Sequence, residues 1–81
     1  NRVFPRAELM EGAYLLAGQI GGNGPVAVRA AKRAIDQGTQ VGIAAGLEIE
    51  AGCYEDVIPT KDRLEALAAF AEKRKPVYRG A

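Results

Sequence analysis

Ile58-Pro59-Thr60-Lys61-Asp62-Arg63-Leu64-Glu65-Ala66-Leu67-Ala68-Ala69-Phe70-Ala71-Glu72-Lys73-Arg74 reads as a helix carrying its own start and stop signals. A residue before proline avoids the helical region, so Ile58-Pro59 is a break, and Thr60 supplies the side-chain oxygen that an N-cap needs. Leu64, Leu67, Ala68 and Ala71 then recur at the spacings that put them on one apolar stripe, with Phe70 on its shoulder. Lys73, Arg74 and Lys75 suit the negative end of a helix dipole, and Pro76 blocks continuation. These signals predict a helix from about Lys61 to Arg74, followed by an irregular tail, Val77–Ala81.

Upstream, the same reasoning gives three more helices. Gln40 to Val57 places Ile43, Leu47, Ala51, Tyr54 and Ile58 on one stripe, although Gly42, Gly46 and Gly52 each weaken it by up to about 1 kcal/mol relative to alanine. Pro25 opens another helix, running to about Gln37 and stopped by Gly38. Its Ala27, Ala30, Ala31, Ala34 and Ile35 are expected inward, and its Arg29, Lys32, Arg33 and Asp36 outward. The alanines offer a flat surface that a second helix can approach closely. The first helix spans about Arg6 to Gln19, with Leu9, Ala13, Leu16 and Ile20 on one face, and Gly21-Gly22-Asn23-Gly24 ends it. Asn1 to Phe4 reads as a strand remnant entering that helix at Pro5. The expected fold class is therefore all-α, with about four helices in a single domain, residues 1–81.

The totals set limits. Eighty-one residues bury a modest core, so a partner is expected to contribute stability. A hydrophobic share of 48% with 26% charged residues is globular, and no apolar run approaches the roughly 18 residues of a membrane span. One cysteine and no histidine exclude a disulfide framework and a zinc or haem cluster, and point to a reducing, cytoplasmic setting. The net charge of +1 is small for a nucleic-acid binder, and the basic excess is concentrated in residues 60–81. The chain opens on Asn1 and its one methionine, Met10, falls inside a helical pattern, so a segment of a longer chain is expected.

No complete catalytic apparatus is legible. Gly21-Gly22-Asn23-Gly24-Pro25 lacks the Gly-Lys-Ser/Thr of a phosphate loop and reads as an inter-helix turn. Cys53 has no histidine base and reads as structural. Glu48, Glu50, Glu55 and Asp56 scatter around their helix and read as its solvated side. Arg29, Lys32 and Arg33 form a basic stripe without interleaved aromatics, which favours solvation over phosphate contacts. The cluster Glu72-Lys73-Arg74-Lys75, one turn beyond Phe70, carries the most functional interest. One reading is dipole complementarity, and the other is capture of an anionic ligand.

Two stretches, Gly24-Pro25-Val26-Ala27-Val28-Arg29-Ala30-Ala31-Lys32 with its Gly38 stop, and Ile58 to Arg74, resemble the C-terminal end of the enoyl-CoA hydratase/isomerase (crotonase) family, most closely its methylglutaconyl-CoA hydratase branch. Asn1-Arg2-Val3-Phe4-Pro5 resembles the exit from that family's catalytic spiral domain, so the resemblance covers essentially the whole chain. It implies the helical trimerisation domain of a trimer, or of a hexamer built as a dimer of trimers. It also implies a parent enzyme that adds water across a 2-enoyl-CoA double bond, in fatty-acid or branched-chain amino-acid degradation, with two glutamates and a backbone oxyanion hole.

Those catalytic groups match nothing in this chain, which implies that the segment alone is inactive. No cofactor is implied, since coenzyme A is part of the substrate. Position by position, Tyr54 matches a family aromatic lining the acyl pocket, where several hydratases have phenylalanine. Phe70 and Lys73 match residues that reach the CoA bound to a neighbouring subunit, with the lysine near its phosphates and the ring near the adenine. The competing expectation is an independent nucleic-acid or protein-binding helical module using Arg29, Lys32, Arg33 and the terminal basic cluster.

Overall fold

Prolines and glycines set the helix limits. In the computed structural model, which describes all of residues 1–81, a 3-10 turn at Arg6–Glu8 leads into α1 (Leu9–Gly21), α2 (Pro25–Gly38), α3 (Ile43–Glu55) and α4 (Lys61–Ala71). There is no strand. Asn1–Pro5 is irregular, because the hydrogen bonds of a strand require a neighbour, and Phe4 instead lays its ring against Gly12 of α1. Pro25 takes the first helical position of α2, where its missing N–H is no loss. Thr60 caps α4 as expected, its Oγ1 accepting from the Arg63 N–H at 3.2 Å.

Some limits move. α3 starts at Ile43 rather than Gln40, because Gly42 is extended and acts as its N-cap. α4 stops at Ala71, short of Arg74, because Lys73 adopts a left-handed conformation with φ of 54°. The Arg74 N–H then donates to the Ala69 carbonyl at 3.0 Å and the Lys73 N–H to the Phe70 carbonyl at 3.2 Å. This is the helix-ending motif in which glycine is usual. No helix is long and apolar enough to cross a membrane.

α2 and α3 form an antiparallel hairpin joined by Thr39–Gly42. The backbones meet where glycine faces glycine: a Cβ on Gly46 would lie 3.1 Å from the Gly38 oxygen. At the other end Arg33 spans the pair, its Nε donating to Cys53 Sγ at 3.3 Å and its Nη2 to the Asp56 carboxylate. Arg33 is thus a bridge, not part of an outward stripe. The inward expectation for α2 holds for Ala30, which is buried, and in part for Ala34. Ala27, Ala31 and Ile35 are exposed and face an open groove.

The tail is irregular yet fixed. Asp62, 6% exposed, accepts the Arg79 and Gly80 N–H groups at 2.7 and 2.8 Å, while its own N–H donates to the Ala81 carbonyl at 2.8 Å. Gly80 reaches this position with φ of +74°, which a glycine adopts readily. Tyr78 lies against Gly24 at the start of α2. The covered face of α4 is therefore Asp62, Glu65, Ala66 and Ala69, a helical stripe of acids and alanines. Of the expected apolar stripe, Ala68 is half-buried, while Leu64, Leu67 and Ala71 remain exposed because the tail lies elsewhere.

The chain does not close on itself. Its radius of gyration is 15.8 Å, against about 12 Å for a compact chain of this length. Its accessible surface is 6668 Å² where a compact chain of this mass has about 4,700 Å². Leu9, Tyr14, Leu15 and Ile20 on α1 contribute to the excess, so the faces that the periodicity assigns to a core lie open.

Candidate functional site

Two regions carry chemistry. The first is the groove between α2 and α3, about 850 Å³, walled by Ala31, Ile35, Val41, Leu47 and Val57 and mostly apolar. Small alanines on α2 and the glycine contact at Gly38 and Gly46 let the helices approach while leaving the groove open above them. Tyr54 stands on its wall, 60% exposed, next to buried Cys53. Glu50 is the acid that reaches this lining, while Asp56 is engaged by Arg33. The hydrogen bond to Cys53, and next the bond to Asp56, raise the Arg33 guanidinium above its ordinary pKa. Cys53 is thereby a buried anchor of the hairpin, as its structural reading expects.

The second is the corner where α4 meets the tail. Phe70, 86% exposed, lies in the last turn of α4, and exposed Lys73 stands just beyond the helix end. Neither lines the groove, so the structure keeps Tyr54 separate from the pair Phe70 and Lys73. A lysine in the left-handed region is disfavoured by about 1–2 kcal/mol, and such strain persists only where surrounding bonds determine it.

Here those bonds come from Glu65. Its carboxylate accepts from Arg74 Nη1 and Nη2 at 2.5 and 3.1 Å and from the Val77 N–H at 2.9 Å. The Arg74 hydrogen bond first, and the Val77 amide second, hold the Glu65 pKa down at about 2. Arg74 Nε donates to Glu72 at 2.5 Å, and the two carboxylates raise the guanidinium further above its usual range, Glu65 more than Glu72. Sequence reasoning missed Asp62 and Glu65. Their signal was two acids three residues apart, on a helical face continued by Ala66 and Ala69, ahead of a glycine-containing tail.

The pairing also reshapes the basic clusters. Lys32 is bound by Asp36 at 2.5 Å, Arg33 by Asp56 and Arg74 by two glutamates, so the expected cationic stripe is largely neutralised. Lys73 and Lys75 have no ion-pair partner and remain available to an anion.

Comparison with known proteins then supplies the family. The model of the enoyl-CoA hydratase/isomerase family matches residues 1–81. The chain belongs to that family. An Arabidopsis thaliana protein named probable enoyl-CoA hydratase 2, mitochondrial, is 53% identical over 80 residues, which cover 99% of this chain and 27% of the relative. Human methylglutaconyl-CoA hydratase, mitochondrial, is 61% identical over 57 residues, or 70% of this chain and 17% of that protein. The crystal structure of an enoyl-CoA hydratase from Bacillus anthracis superimposes with a TM-score of 0.94 at 53% identity, covering 98% of this chain and 31% of that one. The chain thus spans under a third of the length of these enoyl-CoA hydratase/isomerase relatives. Its open faces are consistent with a segment that packs against more protein than it contains.

Proposed function

We propose that the chain is the C-terminal helical part of an enoyl-CoA hydratase, a lyase acting on 2-enoyl-CoA thioesters in fatty-acid or branched-chain amino-acid degradation. Its contributions are subunit assembly and substrate contacts. Two glutamates and an oxyanion hole outside this segment add the water, and residues 1–81 alone have no activity. Tyr54 lines the acyl pocket. Phe70 and Lys73 meet the CoA of a neighbouring subunit within a trimer or a hexamer. The flat adenine suits the exposed ring, and a phosphate suits the unpaired ammonium. No further cofactor takes part. The proposed setting is cytoplasmic, although two of the relatives are named as mitochondrial.

The observation that carries this reading is the match in sequence and backbone to a hydratase along 98% of the chain. The test is turnover by the full-length protein, followed as loss of the enoyl-thioester absorbance with straight-chain and branched 2-enoyl-CoA substrates. Hydration is expected from the full-length protein and none from residues 1–81. Absence of turnover, together with failure to bind coenzyme A, would overturn the reading.

A further inference from the structure

We infer that Glu65 is a positioning residue: by tying the Arg74 side chain and the Val77 amide to α4, it fixes the left-handed turn at Lys73 and the direction in which Lys73 and Phe70 meet a CoA thioester. The inference rests on the proposed reading of Phe70 and Lys73 as CoA contacts.

The geometry makes the case. Lys73 is the one non-glycine residue with positive φ, and it directly follows the helix. A backbone turned against its steric preference would relax to an extended exit unless held on both sides. On the helix side, the amides of Lys73 and Arg74 are bound by the Phe70 and Ala69 carbonyls. Beyond the turn, the hold nearest to Lys73 is Glu65, which bonds Arg74 through two nitrogens and reaches Val77 as well, while Asp62 fixes Arg79 and Gly80 farther along the tail. Glu65 is only partly exposed, with 26% of its side chain accessible, so its end of the clamp sits against α4.

The charge arrangement points the same way. With Arg74 held by Glu65 and Glu72, the corner is no diffuse cationic patch that attracts anions from any direction. Lys73, Lys75 and Arg79 remain without an ion pair, and of these Lys73 is the one whose backbone the left-handed turn orients. Because the reacting groups lie outside this segment, loosening the aim should weaken capture of the CoA end while leaving the chemical step intact.

The experiment measures KM and kcat of the full-length protein for one 2-enoyl-CoA substrate in the wild type, Glu65→Ala, Glu65→Gln, Lys73→Ala and the double variant Glu65→Ala with Lys73→Ala. Glu65→Ala should raise KM about fivefold at unchanged kcat and unchanged oligomeric state, in the range found for residues sharing one ion-pair network. Glu65→Gln keeps an acceptor for Val77 and should lie between, and it carries the test if the alanine variant fails to fold. In the Lys73→Ala background the effect of Glu65→Ala should vanish. An equal rise in both backgrounds, or a fall in kcat, would overturn positioning through Lys73. No rise for Glu65→Ala, with KM raised by Lys73→Ala, would overturn the inference alone. An unchanged KM for Lys73→Ala would instead overturn the CoA-contact reading beneath it.

Discussion

Replacing Asp62 by alanine should release the last residues of the chain from α4. The side chain is buried and accepts two backbone amides, from Arg79 at 2.7 Å and from Gly80 at 2.8 Å. Hydrogen bonds to a charged acceptor contribute about 1.5–3 kcal/mol each, so two are worth about 3–6 kcal/mol. The freed amides regain water once the tail lifts away, which keeps the loss near the lower bound, about 3 kcal/mol. At 1.4 kcal/mol per factor of ten, local opening becomes roughly a hundredfold more frequent. Amide hydrogen exchange reads this directly: the Arg79 and Gly80 amides should exchange about a hundred times faster. Amides within α4 should change far less, because Thr60 still caps that helix. Asp62→Asn retains one acceptor oxygen and should accelerate exchange about tenfold. Protection of both amides within threefold of the wild type in Asp62→Ala would refute the reasoning and leave the tail held by Glu65 and Tyr78.

Three further outcomes follow from the same geometry. Glu65 has a folded pKa of about 2, depressed below its ordinary 4.5, so the stability it lends is fully present above pH 4.5 and is lost as the pH falls from there towards 2; the protection factor of the Val77 amide, its exchange relative to an unstructured chain at the same pH, should fall across that window in the wild type and lose this dependence in Glu65→Gln. Lys73→Gly relieves about 1–2 kcal/mol of left-handed strain against about 0.5–1 kcal/mol of added freedom in the unfolded chain, so a thermal melt should show net stabilisation of about 0.5–1 kcal/mol. Gly46→Ala brings a Cβ within 3.1 Å of the Gly38 carbonyl oxygen, so the two helix backbones must part by a few tenths of an ångström; despite alanine's better helix propensity, the melt should show destabilisation of about 1 kcal/mol.

Much of the fold is legible in the residues because its signals act locally. Pro25, Gly38 and Thr60 each mark a helix boundary where the sequence predicts one, as a steric limit or a cap requires. The candidate site was less legible. Tyr54, Phe70 and Lys73 were reached through family resemblance, since one ring and one ammonium at a helix end carry no distinctive spacing. The apolar stripes read from the spacing imply a core that this chain does not build, and their large members lie exposed. Periodicity marks which face of a helix avoids water, and it does not say whose surface covers that face.

The sequence by itself determined four helices and their approximate limits, because caps, dipoles and steric stops act within a turn or so of backbone, and its likeness to known sequences gave the family. Only the tertiary structure decided that Arg33 bridges α2 and α3, that the covered face of α4 is the acidic stripe of Asp62 and Glu65, and that Lys73 turns left-handed. Each of these depends on partners well apart in the chain, 12 residues for Glu65 and Val77, 18 for Asp62 and Gly80, 23 for Arg33 and Asp56. No local propensity selects such a pairing. It forms when folding brings a carboxylate within reach of an amide or guanidinium that has no better partner.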